Sequence, residues 1–575
     1  MLKLENPNAR PRRVELSLVL KAARHLALQT PGTKTGLHVK HPMHYAILLR
    51  IFEYLFDNRD TVPKKNVAVT PASPWNPIIP SLAKIPCGDW VIQTPSVLIY
   101  PMNTLLSNLR KILDDRGVIT SPVEAEPYLE ERRGRFQGES QIIVRPRDAA
   151  EVQAVVKACA AHKTPLVPQG GNTGLCGGAV ANADQIILSL ERLKQIRNID
   201  PANNTMTVEA GCILAELQTT ARDAGRFFPL SLAAEGSCQI GGNLATNAGG
   251  INVLRYGNAR DQVLGLEAVM PSGELLSDLH GLRKNNTGYD LKQLLIGSEG
   301  TLGIITAATL KLYPHPDQSA TALVALRNLP ASIAFLERAQ SGSGGTLCSF
   351  ELMHRIGLDF AFKHVSGCSD PMTTSHEWYV LLSLQASGDA INVDTLLSAI
   401  LEKALEAGDI HDAVIASSEQ QAKSLWKLRE GIVEGQRLEG ASIKHDVSVP
   451  VSKVPEFIET AWAIVAERVP GIRPCPFGHV GDGNIHFNLS QPPDMDAGAF
   501  LSLWKEVNDL VHDHVAELGG SFSAEHGIGM SKVDEMRRYK DPTGLKVMAA
   551  IKKALDPHNL FNPGKIIPAP NADSR

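Results

Sequence analysis

The chain has 575 residues, 43% hydrophobic and 21% charged, with a formal net charge of −4. That length exceeds what one hydrophobic core sustains, so more than one domain is expected. The acidic balance and 5% aromatic content argue against a nucleic-acid surface, and no apolar run of about 18 residues marks a membrane span.

The eight cysteines are scattered, with no Cys-x-x-Cys pair, which fits reduced thiols in a cytoplasmic or matrix-like compartment. Residues 1–101 differ from the rest. Prolines cluster between Pro63 and Pro101, and the first 50 residues hold nine Lys/Arg against two Glu, a bias found in mitochondrial transit peptides. Met102 opens Met-Asn-Thr-Leu-Leu-Ser-Asn-Leu, the start of a helix in a soluble enzyme. The expectation is translation from Met102, with residues 1–101 a mostly unstructured leader or mis-called extension; a matrix location follows if the leader is real.

From Ser140 short strands alternate with helices: a strand at 141–145, a helix at 149–162 and a strand at 165–168. Residues 169–179 then place five glycines in eleven positions. Glycine lets backbone N–H groups curl around phosphate oxygens. The run is neither a Gly-x-Gly-x-x-Gly fingerprint nor a Walker loop. Two more glycine-rich segments follow, Gly236–Gly250 and Gly297–Gly303, with a hairpin about Ser272-Gly273 between them. Three such loops suit an extended ligand with a pyrophosphate and two ring systems.

Strand–helix alternation resumes near Ala320: strands at 321–326 and 378–385, helices at 330–339, 393–407 and 418–435, a strand over 444–450, and helices at 455–468 and 499–518. The stretch from Pro476 to Leu489 carries His479, a Gly-Asp-Gly turn, His486 and Asn488. Residues two apart on a strand share a face, so His486 and Asn488 point the same way, and the turn returns His479 toward them. Ser523–Gly529 adds Glu525 and His526. Two imidazoles and a carboxylate make a divalent-metal set for zinc, iron or manganese, with the remaining histidine free as a base.

Taken in order, Pro168-Gln-Gly-Gly-Asn-Thr-Gly, Gly241-Gly-Asn-Leu-Ala-Thr-Asn-Ala-Gly-Gly, Ile296-Gly-Ser-Glu-Gly-Thr-Leu-Gly, Gly478-His-Val-Gly-Asp-Gly-Asn-Ile-His, Ser523-Ala-Glu-His-Gly-Ile-Gly and Asp556-Pro-His-Asn-Leu-Phe-Asn-Pro-Gly-Lys resemble the vanillyl-alcohol-oxidase-type (PCMH-type) FAD oxidoreductases, and among them the D-2-hydroxy-acid dehydrogenases. The resemblance spans about residues 102–567. It implies an α+β chain: a helical segment at 102–137, a two-subdomain PCMH-type FAD-binding domain at 138–317, and an FAD-linked oxidase C-terminal domain at 318–568 with a ferredoxin-like antiparallel sheet and helices.

The resemblance also implies roles. Pro168, Gly170, Gly171, Asn172, Thr173 and Gly174 would hold the FAD pyrophosphate. Gly236, Gly241, Gly242, Asn243, Thr246 and Asn247 would run past the flavin and ribityl chain, Ile305 would contribute backbone to the adenine side, and Gly300 and Gly303 would also bind the cofactor. Gln169 stands in the loop that carries a flavin-linked histidine in some relatives, so FAD is expected to be non-covalent. His479, His486 and Glu525 match metal ligands, zinc foremost, and His526 the base. Arg429 and Lys444 match cations for substrate carboxylates, and Asn488 would reach substrate or anchor a ligand histidine. Where the hydroxyglutarate pattern often has a hydroxyl residue four after the arginine, this chain has Val433.

The expected reaction is oxidation of a D-2-hydroxy acid, D-2-hydroxyglutarate before lactate or glycolate, with an electron-transfer flavoprotein or quinone as acceptor and a homodimer as assembly. Two other readings stand beside it: a zinc hydrolase on the same cluster, and the flavin subunit of a glycolate-oxidising complex.

Overall fold

The computed structural model describes residues 96–568; the expectations for residues 1–95 lie outside the described residues. The helix expected from Met102 begins earlier, as α1 (Ser96–Ile112), and buries Leu105 and Leu109.

Strands β1 (Val118–Ile119), β2 (Ile143–Val144), β3 (Leu166–Gln169) and β4 (Ile186–Ser189) form a sheet in the order β1-β2-β4-β3, parallel except between β1 and β2. Parallel strands need a crossover; α2 (Ala149–Ala161) carries the chain from β2 to β3, and β4 then pairs between them. Asp148 caps α2 by accepting from Glu151 N at 2.9 Å. Val152, Val155, Val156 and Cys159 then form its buried stripe at helical spacing.

Next come β5 (Ile196–Asp200), β6 (Thr205–Glu209), β7 (Arg226–Phe227), β8 (Val263–Val269), β9 (Leu275–Asp278), β10 (Ile304–Lys311) and β11 (Tyr313–Pro314). Five make an antiparallel sheet, order β5-β6-β10-β8-β9, and β7 pairs with β11. The hairpin expected about Ser272-Gly273 joins β8 to β9. The short helix α3 (Ile240–Thr246) lies in the second glycine-rich segment.

The second half is built on β12 (Gln318–Leu326), β13 (Leu347–His354), β14 (Trp378–Ala386), β15 (Ile410–Ile415), β16 (Ser442–Ile443), β17 (Val447–Ser448), β18 (Arg473–His479) and β19 (Asn484–Ser490). They pair in the order β15-β12-β14-β13-β18-β19-β16, with β17 also on β19. Period-two alternation sorts the residues between its faces. Val324, Leu352, Leu382, Ile485 and Phe487 share a core with α4 (Ala331–Gly342), α6 (Val393–Glu406), α8 (Val454–Arg468) and α9 (Trp504–Glu517). Leu323, Met353, Leu381 and Phe477 face α5 (Arg355–His364) and α7 (Glu419–Leu438). The chain's α+β class follows from these sheets and their helices.

Two expected elements differ. The helix over 499–518 is broken at Leu503, and Phe500 and Val507 lie in the core on either side of the break. The strand over 444–450 is reduced to Val447–Ser448, because His445 turns its ring Nδ1 onto the Phe487 carbonyl at 2.8 Å, where a backbone bond would otherwise form. After this sheet the chain returns to the first one: Leu166 N donates to Leu560 O at 2.8 Å, and Phe561 is fully buried beside α1 and α2.

Candidate active site

Strand pairing assembles the histidine cluster. In the β18–β19 register His486 stands opposite Phe477, and in the β13–β18 register His479 stands opposite Glu351. All four lie on the α5/α7 side of the sheet. His479 Nδ1 donates to Glu351 Oε1 at 2.5 Å, which orients the ring and turns Nε2 toward Glu525. Burial opposes protonation of His479, but the Glu351 carboxylate outweighs it and lifts the pKa to about 9. Burial pushes His486 the other way, down to about 3, so its imidazole is neutral.

Glu525 faces both rings, with oxygens 3.6 Å from His479 Nε2 and 4.0 Å from His486 Nε2. One ligand atom from each of the three lies within 4.8 Å of the others, a set one divalent cation could draw together. His526 sits beside it, its Nδ1 2.9 Å from Asp446 Oδ2, so Nε2 is the nitrogen left for proton transfer. Asp446 also accepts from the backbone N–H groups of Glu525 (3.1 Å) and His526 (3.0 Å) and from Asn484 Nδ2 (3.0 Å). Burial would raise its pKa, but His526 and Lys532 hold it well below the ordinary carboxylate range.

The predicted cations are placed differently from one another. Arg429, on the buried stripe of α7, donates from Nε to Glu351 Oε2 at 2.9 Å and covers the Phe477 ring at 4.6 Å. Only its terminal amino groups are left to reach a ligand. Lys444 has no hydrogen-bond or ion-pair partner among the described residues. Its pKa is lowered to about 8, by burial first and then by Arg133 and Arg135. Those arginines sit on a loop whose Glu131 carboxylate accepts both of their backbone N–H groups, and Arg135 stacks on Trp504 at 4.1 Å. Asn488 donates to Gln436 Oε1 at 3.0 Å, so it reaches neither ligand histidine. A cavity of about 460 Å³ runs along the same sheet face, floored by Thr321, Ser349 and Ser383 and walled by Trp426, one turn before Arg429.

A second cleft gathers the three glycine-rich segments. All the predicted cofactor residues line it except Gly236 and Asn247, and His526 lines it too. Asn247 instead ends α3 with φ 53° and accepts from Arg260 N at 2.9 Å. The cleft fits FAD on two observations. Gln239 Oε1 and Asn243 Oδ1 are buried in it without a protein partner, as expected of groups meant for a bound molecule. The loops also meet backbone to backbone: a Cβ on Gly171 would lie 2.2 Å from Ser237 O, so only glycine permits that closure.

The sequence reading missed Glu351, Asp446, Glu299, Arg133 and Arg135. A glutamate inside the apolar run Cys-Ser-Phe-Glu-Leu-Met was a signal for the first.

A cleft lined by three glycine-rich segments, with His526 on its wall beside a His/His/Glu cluster, has the form of an FAD-dependent oxidoreductase's site. Residues 140–278 match the family described as FAD binding domain, and 315–566 that described as FAD linked oxidases, C-terminal domain. The chain is 37% identical over 465 residues to the mitochondrial D-2-hydroxyglutarate dehydrogenase of Arabidopsis thaliana, covering 80% of this chain and 81% of that one. It is 39% identical over 449 residues to the D-2-hydroxyglutarate dehydrogenase of Xanthomonas citri pv. viticola, covering 78% and 93%. Its fold is shared with p-cresol methylhydroxylase, TM-score 0.64 at 17% identity, over 81% of this chain and 96% of that one. The chain belongs to the FAD-linked oxidase family that includes these dehydrogenases.

Proposed function

We propose that the protein oxidises D-2-hydroxyglutarate to the 2-oxo acid, with His526 as base and His479, His486 and Glu525 as ligands of a divalent cation, zinc foremost. The observation that carries the reading is the convergence of these side chains within 4.8 Å beside a base that lines the glycine-rich cleft. When bound, FAD would supply a hydride acceptor, and a cation held by His479, His486 and Glu525 would supply a Lewis acid that acidifies the substrate hydroxyl.

The chain's own groups do the rest. His526 Nε2 takes the hydroxyl proton, and Asp446 at Nδ1 orients the ring and stabilises the imidazolium that results. Glu351 orients the His479 ring and neutralises Arg429. Lys444 and the free amino groups of Arg429 give the distal carboxylate a cationic seat. The names of the relatives in Arabidopsis and Xanthomonas support the five-carbon diacid. A second reading, a shorter acid such as lactate or glycolate, is favoured by Val433, whose side chain offers no hydroxyl.

The electrons then pass to an acceptor such as an electron-transfer flavoprotein or a quinone, and the working unit is a homodimer. The location is cytoplasmic, or the mitochondrial matrix, an alternative supported by the mitochondrial name of the Arabidopsis relative. No helix among the described residues is long and apolar enough to cross a membrane.

His526→Gln tests the assignment. Flavin and metal should stay bound, while flavin reduction by D-2-hydroxyglutarate falls by about 10²–10⁴-fold, the usual worth of a positioned base. A variant that is reduced at the wild-type rate refutes the role of His526. Lactate or glycolate outrunning D-2-hydroxyglutarate in the wild-type protein refutes the substrate.

A further inference from the structure

The segment that carries Glu525 and His526 has no helix or strand of its own, yet its position decides both the ligand set and the base. Two carboxylates hold it, Asp446 buried and Glu299 partly buried. Asp446, between β16 and β17, takes the N–H groups of residues 525 and 526. Glu299, in the glycine-rich loop before β10, takes the N–H groups of residues 528 and 529: Oε1 accepts from Ile528 N at 2.7 Å and Oε2 from Gly529 N at 2.8 Å.

Glu299 is itself held rigidly. Its backbone is left-handed, with φ 49°, a conformation a side-chain-bearing residue adopts only when its surroundings impose it. Its N–H donates to Ala245 O at 2.8 Å, and its carbonyl accepts from Asn562 Nδ2 at 2.8 Å. The fit on the far side is equally tight: Gly527 has φ 75°, and a Cβ there would lie 2.6 Å from Glu299 Oε1. A third link runs from the same half of the molecule, where Gly250 N donates to Glu525 Oε1 at 3.1 Å. Glu299 and His526 both line the flavin cleft.

We propose that Glu299 is a positioning residue: a carboxylate on the flavin-binding side that sets the loop bearing the base and the third metal ligand, so that the catalytic set is complete only when the two halves are joined through it. The inference rests on the roles given above to His526 and Glu525. A carboxylate is required because two N–H donors need two acceptor oxygens. Glutamine has the same shape but offers one oxygen, and its amide group would confront a second donor.

The test is full-length Glu299→Gln, purified with its flavin beside the wild-type protein. Four quantities are read: flavin absorbance, zinc affinity by competition with a chromophoric chelator, the rate constant of anaerobic flavin reduction at saturating D-2-hydroxyglutarate, and the concentration giving half that rate. Misplacing a catalytic group by about 1 Å costs on the order of 100-fold. The expected result is therefore retained flavin, a half-saturating concentration within about threefold of wild type, a rate constant about 10- to 100-fold lower, and weaker zinc binding. Glu299→Asp keeps the charge but draws both oxygens back by one methylene. It should give the same split in milder form, and it decides the matter if the glutamine variant does not fold.

Wild-type rate and zinc affinity in the variants overturn the proposal. So does a rate lost only in proportion to lost flavin, which would assign Glu299 to cofactor retention. If no hydroxy acid reduces the wild-type protein, the reading of the site fails instead, and the zinc affinities still report whether Glu299 sets Glu525.

Discussion

Glu351 offers the sharpest test of how the site is built. Its side chain is 1% exposed, and one oxygen anchors His479 Nδ1 while the other takes Arg429 Nε. Glu351→Gln keeps the volume but replaces one acceptor with a donor and removes the charge between two partners. Breaking one side of a buried ion pair costs about 3–5 kcal/mol, because the other charge is left uncompensated. Here that charge is Arg429, so α7 and β13 lose part of what joins them.

The same change frees the His479 ring. Loss of a partner behind a ligand histidine weakens metal affinity by about 10- to 100-fold, or about 1.4–2.8 kcal/mol, and the bared Arg429 charge repels a cation in the same direction. The assay is zinc titration of metal-free protein against a chromophoric chelator, with flavin absorbance as the check that the cleft is intact, and urea unfolding for stability. Glu351→Gln with wild-type zinc affinity and an unchanged urea midpoint would refute the role given to Glu351.

Two further outcomes depend on pH. Lys444 is charged below its pKa of about 8 and loses its charge above it. The half-saturating concentration of D-2-hydroxyglutarate should thus rise as pH climbs past about 8, by up to about tenfold per unit; Lys444→Met should start high and lack that rise. Glu439 joins α7 to Lys363, His364 and Arg473. Burial opposes its ionisation, but Lys363 and Arg473, with the hydrogen bond to His364, outweigh it and hold the pKa at about 2. A depressed carboxyl stabilises the fold above its unfolded pKa of about 4.3, and that contribution fades as pH falls toward about 2. Glu439→Gln should therefore be less stable than wild type at pH 7, with the gap closing on acidification, as followed by urea midpoints.

What the sequence made legible was local. The three glycine-rich loops, the hairpin that brings His479 back to His486, and the Glu525-His526 pair each lie within a few residues of chain, so turn chemistry and strand alternation reveal them. The parts that were not legible are set by pairing across the chain. Glu351 meets His479 across 128 residues, Asp446 meets His526 across 80, and Glu299 meets Gly529 across 230. No periodicity in one segment encodes such a partner. Asn488 shows the same limit from the other side: its face was read correctly, but its partner, Gln436, comes from α7, 52 residues away. The truncated strand after Lys444 depends on the His445 ring taking a backbone acceptor, which propensity does not foresee.

The most direct measurement is the visible spectrum of the purified protein on anaerobic addition of D-2-hydroxyglutarate, before and after chelator treatment and again after zinc is restored. The account predicts a yellow protein that bleaches, a chelated one that stays yellow, and bleaching regained with zinc. A flavin that bleaches equally well after chelation would contradict the role given to His479, His486 and Glu525; one that never bleaches would contradict the substrate.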